Sequence, residues 1–213
     1  MARPRVLLTG FGPFPGVAEN PSGWLASALA ARCATGGDLH AQVLPTEWAA
    51  VAALTPRLYE TLQPHVMIHF GVSPRAKTLK IERSAHNRAA SRRDARGALP
   101  VTPAIAPDGT MRLDTALPVT EIAARLRASG HRAASSRSCG RYLCNFLYYR
   151  SLEWAQARGR DALFVHVPPL AAQGGSAGEH DLLRAAETVL HLVLDCAADR
   201  RAAAPSRIVE ARP

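Results

Sequence analysis

The 213-residue sequence predicts an α/β fold in which helices pack on a largely parallel sheet. Three observations point there. Short apolar runs alternate with longer segments of helical period along most of the chain. The clearest runs, "VLLTGF", "HVMIHFGV" and "ALFVHVPPL", are near-continuous, as expected of strands covered on both faces. Glycine and proline punctuate their ends, and no internal repeat is present.

Taken in order, residues 5–11 read as a buried strand. "NPSGWLASALAARCA" reads as a helix capped by Asn20 or Ser22, with Trp24, Leu25, Ala28 and Leu29 on its inner face. Residues 39–45 give a second strand. "EWAAVAALTPRLYETLQ" has helical period, and Pro56 is expected to kink it or start a new helix. "HVMIHFGV" is the third strand, and "TLKIERSAHN" alternates as a fourth, exposed on one side. Residues 88–114 read as a long surface loop with room for a small hairpin. A helix near 119–129 and a strand at 131–136 follow. "CGRYLCNFLYYRSLEWAQARG" reads as a strongly amphipathic helix stopped by Gly159. "ALFVHVPPL" is the last strand, "EHDLLRAAETVLHLVLDCAADRR" the closing helix, and about 203–213 a frayed tail. One catalytic-sized domain over 1–213 is the economical organisation.

Composition narrows the class. A chain 47% hydrophobic and 20% charged is ordinary for a water-soluble globular protein. No apolar run approaches the roughly 18 to 20 residues that cross a bilayer, and no signal-peptide cleavage pattern follows the short apolar run at the N-terminus. A cytoplasmic location without a membrane partner is therefore expected. The net charge of +9 raises nucleic-acid binding. Yet lysine supplies only two of the 26 basic residues, Lys77 and Lys80, and the arginines scatter, apart from clusters at 88–96 and 200–201. No nucleic-acid partner is expected. Cys33, Cys139, Cys144 and Cys196 form no C-x-x-C pair, and His65 and His69 lie on a strand, so neither a zinc site nor a disulfide framework is expected.

"TGFGPFPG" (Thr9 to Gly16) poses the sharpest local question. The dinucleotide fingerprint needs a third glycine where Pro15 stands, and Pro13 removes a backbone donor. A phosphate loop is excluded, which leaves Phe11 and Phe14 to be explained. In sheets of this class ligands gather at the carboxyl ends of strands. Those ends carry Phe11 and Phe14, Gly71 and Val72, Glu82, and His166. Cys144 lies early in a helix, where the macrodipole favours a thiolate. Beside a His and an acid it becomes a nucleophile. Each residue singly also fits a core or surface role: Cys144 and the phenylalanines as filler, His166 as a hydrogen-bonded core side chain, Glu82 as half of a surface pair with Arg83.

"LLTGFGPFPGVAENPSGWLA", "HFGVSPRAKTLKIERSAHN", "SCGRYLCNFLYY" and "FVHVPPL" together resemble the pyroglutamyl-peptidase I family, also called pyrrolidone-carboxylate peptidases. The four stretches occur in the family's order over residues 5 to about 195. The resemblance implies a three-layer α/β/α sandwich with a central, mostly parallel twisted sheet. It also implies an intracellular cysteine peptidase that removes N-terminal pyroglutamate from peptides, without metal or cofactor, often as a homotetramer. Carried over, it makes Cys144 the nucleophile, His166 the general base and Glu82 the group that orients it. Phe11 and Phe14 become the walls of a lactam pocket supported by Asn20, and the backbone at Gly71 and Val72 a partner for the ring amide. Arg92, with Arg93 as rival, would serve the oxyanion. A Cys-His amidase of altered specificity, and a catalytically silent basic binding module, are the alternatives at this stage.

Overall fold

The computed structural model describes residues 4–14, 16–33 and 38–203. The expected tail from residue 204, and Pro15 of the glycine-proline stretch, lie outside the described residues.

Among the described residues, eight strands, five α-helices and a short 3-10 turn follow one another. The strands are β1 (Arg5–Phe11), β2 (Asp38–Leu44), β3 (Val66–Val72), β4 (Leu79–Glu82), β5 (Ser84–His86), β6 (Arg112–Asp114), β7 (Ala133–Ser136) and β8 (Asp161–Val167). The helices are α1 (Pro21–Arg32), α2 (Trp48–Leu62), α3 (Val119–Ala128), α4 (Leu143–Arg158) and α5 (Glu179–Ala203).

Six strands form the central sheet in the order β2-β1-β3-β8-β4-β7, and β5 and β6 form a small separate one. Strand pairing is parallel throughout the central sheet except between β4 and β8, which run antiparallel. The sheet is thus mostly parallel, with β4 and β7 pointing against the other four strands. Alternate residues of its strands feed two cores. Val6, Leu8, Ile68, Phe70, Val165 and Val167 pack against α1, α3 and α5 on one face. Leu7, Phe11, Met67 and Phe164 pack against α2 and α4 on the other. This is the three-layer sandwich.

Several local expectations are corrected. Trp24 lies on the outward side of α1, 37% exposed, while Leu25, Ala26 and Leu29 face the sheet. α2 runs through Pro56 without a break. Pro56 sits on the exposed side together with Ala52, whose carbonyl loses its helical donor and meets water instead. "TLKIERSAHN" is two strands, because β4 pairs within the central sheet and β5 turns away at Arg83 to pair with β6. α4 begins at Leu143, four residues later than the sequence suggests. It is buried nearly all round because the small sheet and the segment from 87 to 110 cover its outer side. That segment is the expected surface loop, mostly exposed but pinned at buried points such as Ala89, Asp94 and Ala106. Asn87 bonds across it to the backbone of Ala106 and Gly109.

The first glycine of "TGFG" serves packing. A Cβ on Gly10 would overlap the Ser22 carbonyl, so glycine there lets the start of α1 lie directly on β1. Ser22 Oγ then accepts the Phe11 N–H at 3.1 Å.

Candidate active site

The antiparallel placement of β4 decides the centre of the site. Lys80 stands opposite His166 and Glu82 opposite Phe164. Opposed residues share a sheet face, so Glu82 comes to lie one step below His166 rather than at the rim with it. The expected grouping of Glu82 with the carboxyl-end residues is corrected accordingly: it ends its strand, but that end points into the sheet.

Glu82 is 1% exposed and His166 9%. The His166 Nδ1–H donates to Glu82 Oε1 at 2.8 Å. A carboxylate only accepts, which fixes that proton on Nδ1 and leaves Nε2 facing the cleft. Glu82 Oε2 is buried without a partner, so the imidazole is the carboxylate's sole side-chain neutraliser. Cys144 occupies the second position of α4, and its half-buried sulfur faces the same ring. Burial alone would lower the His166 pKa. Hydrogen bonding to Cys144 and Glu82, together with their negative charge, outweighs burial and pushes it up to about 9. Near pH 7 the ring is therefore protonated, the form that stabilises an adjacent thiolate. Burial pushes the other three thiols, Cys33, Cys139 and Cys196, up from their ordinary value.

The sulfur has room because of Gly71. This residue pairs with His166 across β3 and β8, and a Cβ there would sit 2.9 Å from Cys144 Sγ and 2.7 Å from Phe164 Cζ. Two α4 side chains tie the helix to β4, which carries the acid, and to β5, which follows it. Tyr148 OH donates to the Glu82 carbonyl at 2.9 Å. Asn145 exchanges hydrogen bonds with the His86 backbone and also donates to the Arg88 carbonyl. The N-cap Tyr142 contributes no side-chain bond, so the amides of the first turn are left to face the cleft.

A cavity of about 470 Å³ opens above these groups, a volume suited to a small ligand. Phe11, Phe14, Asn20, Val72, Glu82, Arg92, Cys144 and His166 all line it. Gly71 does not, its place being behind the sulfur. Phe11 is buried and belongs to the core as well as to the wall. Phe14 is half-buried on a turn closed by reciprocal backbone bonds with Val17. Asn20 caps α1 by accepting from the Ser22 amide and donates to the Gly12 carbonyl at 3.0 Å. Thr46 Oγ1 donates to the same carbonyl at 2.9 Å.

The two arginines separate cleanly. Arg92 lines the cavity with its guanidinium 4.7 Å above the Tyr142 ring. Its carbonyl accepts the Trp48 indole N–H at 3.0 Å. Arg93 turns away to the Gly97 carbonyl. Sequence reasoning missed Thr46, Lys80, Arg141 and Tyr142 in the cavity wall, and Asn145 and Tyr148 behind it. Asn145 had a signal, a polar residue inside the otherwise apolar stretch from Leu143 to Tyr149. Lys80 and Arg141 had none, since isolated charges read as surface.

His69 is fully buried, bonded through Nδ1 to Thr9 Oγ1 at 2.8 Å, and burial alone lowers its pKa to about 3. It stays a neutral core residue away from the cavity. Among the described residues no helix is long and apolar enough to cross a membrane.

Known proteins resemble this chain in sequence and in fold. Pyroglutamyl-peptidase 1 of Rattus norvegicus is 37% identical over 176 residues, covering 80% of this chain and 82% of its own. The Homo sapiens protein of the same name is 35% identical over 201 residues, covering 92% and 93%. Among solved structures, pyrrolidone carboxyl peptidase from Thermococcus litoralis superposes with a TM-score of 0.82 at 28% identity, over 90% of this chain and 94% of that one. Pyroglutamyl peptidase I of Bacillus amyloliquefaciens gives 0.83 at 25% identity, over 92% and 98%. A sequence profile described as pyroglutamyl peptidase matches residues 4–186, and by that match and these relatives the chain belongs to the pyroglutamyl peptidase family.

Proposed function

We propose that this protein is a cysteine-type omega peptidase that hydrolyses the amide bond following an N-terminal pyroglutamyl residue. The observation that carries the reading is the imidazole of His166, bonded to a buried carboxylate on one side and facing the Cys144 sulfur on the other, in a cavity walled by two phenyl rings. Pyroglutamate is an uncharged, flat lactam. It needs no cationic clamp, and faces such as those of Phe11 and Phe14 hold such a ring with about 1 kcal/mol beyond area burial. Backbone groups near Val72 can read the lactam N–H and C=O. A site built for those groups rejects proline, which lacks the ring carbonyl and leaves the donors unpaired.

In the proposed reaction the Cys144 thiolate attacks the carbonyl joining pyroglutamate to the next residue. First-turn amides of α4 and the Arg92 guanidinium stabilise the oxyanion. The protonated His166 gives its Nε2 proton to the leaving amine, forming the thioester, and then takes a proton from the water that hydrolyses it. Glu82 holds the ring by its Nδ1–H throughout. Strands drawn from residue 5 to residue 167 build the single sheet that carries these groups, which supports one catalytic domain. The four free cysteines suit a reducing, cytoplasmic location. A homo-oligomer, the tetramer among them, is carried by the family resemblance, and sedimentation analysis would decide it.

Hydrolysis of a pyroglutamyl reporter amide, compared with its prolyl and glutaminyl counterparts, tests the activity. Turnover of the pyroglutamyl compound alone is expected, abolished by iodoacetamide and by Cys144→Ser. Cys144 should also be alkylated faster than Cys33 or Cys196. Turnover that survives Cys144→Ser would overturn the assignment.

A further inference from the structure

The strand order of the central sheet lays the cavity out in one direction. At one side, Phe11 ends β1, Phe14 lies just after it and Thr46 follows β2. Val72 of β3 and His166 of β8 come next. Beyond them lie Lys80 of β4 and Arg141, which follows β7 and precedes the N-cap of α4. A lactam held between the phenyl rings, with its carbonyl at Cys144, therefore sends the departing chain across β8 toward Lys80 and Arg141.

That far side is cationic and lacks counter-ions. Lys80 is half-buried directly opposite His166, and Arg141 is exposed at the mouth. Among the described residues neither has a carboxylate within ion-pairing distance. The only carboxylate in the cavity wall, Glu82, is engaged by His166 Nδ1. The amino end of α4 adds partial positive charge at the same place. A half-buried lysine lining a peptide channel, with no carboxylate partner among the described residues, can take its anion from the ligand.

We propose that the leaving side of the cleft selects a carboxylate, and that Lys80 and Arg141 are the specificity-determining residues that read it. The carboxylate comes either from an acidic side chain directly after the lactam or from the free α-carboxyl of a short peptide. This inference rests on the pyroglutamyl-peptidase reading and deepens it.

The test compares kcat/KM for pyroglutamyl-Glu-amide, pyroglutamyl-Ala with a free carboxyl, pyroglutamyl-Ala-amide and pyroglutamyl-Lys-amide, with the neutral reporter as reference. At low ionic strength a carboxylate-bearing peptide should exceed the Ala-amide by about fivefold, the size of a partly exposed ion pair. The Lys-amide should fall below it, and molar salt should collapse the difference. A preference confined to pyroglutamyl-Ala assigns the site to peptide termini, and one confined to the Glu-amide to side chains. Lys80→Met and Arg141→Gln should each reduce the acidic-to-neutral ratio at least twofold. Because the readout is a ratio, a general loss of activity in either variant does not imitate the result. Equal rates for all four peptides on an enzyme that turns over the reporter would overturn the proposal alone. So would an unchanged ratio in both variants. A wild-type enzyme inert toward the reporter would overturn the underlying reading and this proposal with it.

Discussion

Gly71 shows how one missing methyl can determine a reacting atom's position. The Cα of this residue backs the Cys144 sulfur, and the space a Cβ would take is shared by that sulfur and the edge of Phe164. Gly71→Ala should leave the fold intact while displacing the thiol from the His166 ring. The expected outcome is a drop in kcat of at least about tenfold, in keeping with the sensitivity of catalysis to small misplacements. KM for the reporter should change less, since the phenyl walls are untouched. Steady-state kinetics measures the split, and a loss confined to KM would refute the steric account. Glu82 is the complementary case. Its burial beside a single partner is tolerable only because that partner carries a proton, so acid and base are each other's condition for being inside the protein.

At the scale of elements, the segment from 87 to 110 acts as a brace. The α2 N-terminus has no capping side chain of its own, since Glu47 makes no such bond. Asp94 supplies the cap from a distance, accepting the Trp48 amide at 2.9 Å and the Arg96 and Ala98 amides with its other oxygen. Burial would raise the Asp94 carboxyl, and these three donors outweigh it and hold it below its usual range. Asp94→Ala should cost about 1 to 2 kcal/mol, as loss of a helix cap does. That is roughly 3 to 6 °C in Tm for a chain of this size. Calorimetry gives the shift. The kcat should fall as well, because the Arg92 carbonyl is pinned by the same Trp48 and its guanidinium is proposed to serve the oxyanion.

What the sequence discloses follows from how locally each element is determined. β1, β3 and β8 are covered on both faces, so they read directly as unbroken apolar runs. The break at Arg83 is marked locally only by the polar run Glu82-Arg83-Ser84, which interrupts the alternation without indicating new partners. Only the choice of partners, β8 and β7 before it and β6 after it, separates the two strands. The start of α4 is silent, since Tyr142 is an N-cap without a capping oxygen. Cys144, His166 and Glu82, the residues proposed as nucleophile, base and acid, are singled out by family motifs. Their vertical arrangement is not, because it depends on β4 running against β8.

For the whole molecule, two histidines set opposite limbs of the stability profile. His166 is raised from its ordinary 6.5 to about 9 in the folded state. Its contribution is complete below about pH 6.5 and is lost as pH climbs toward about 9, because the folded protein must then give up a proton the unfolded chain has already released. His69 is lowered from 6.5 to about 3. Its effect is absent above about pH 6.5, and stability declines as pH falls toward about 3, where the unfolded chain binds a proton the core refuses. Considering these two groups, stability should peak near pH 6.5. Denaturant titrations across pH 4 to about 9 measure it. Glu82→Gln should flatten the alkaline limb and His69→Gln the acid limb, and limbs unmoved by these substitutions would contradict the assignment.

The ties from α4 to the acid-bearing strand have a mechanical consequence. Tyr148 grips the main chain of Glu82, and Asn145 grips the strand just beyond it. Sulfur and carboxylate therefore ride on one rigid body, whereas the phenyl ring of Phe14 hangs from a turn on the far side of the sheet. A widening that admits a bulky peptide should therefore open between these two parts and leave the spacing of sulfur and carboxylate unchanged.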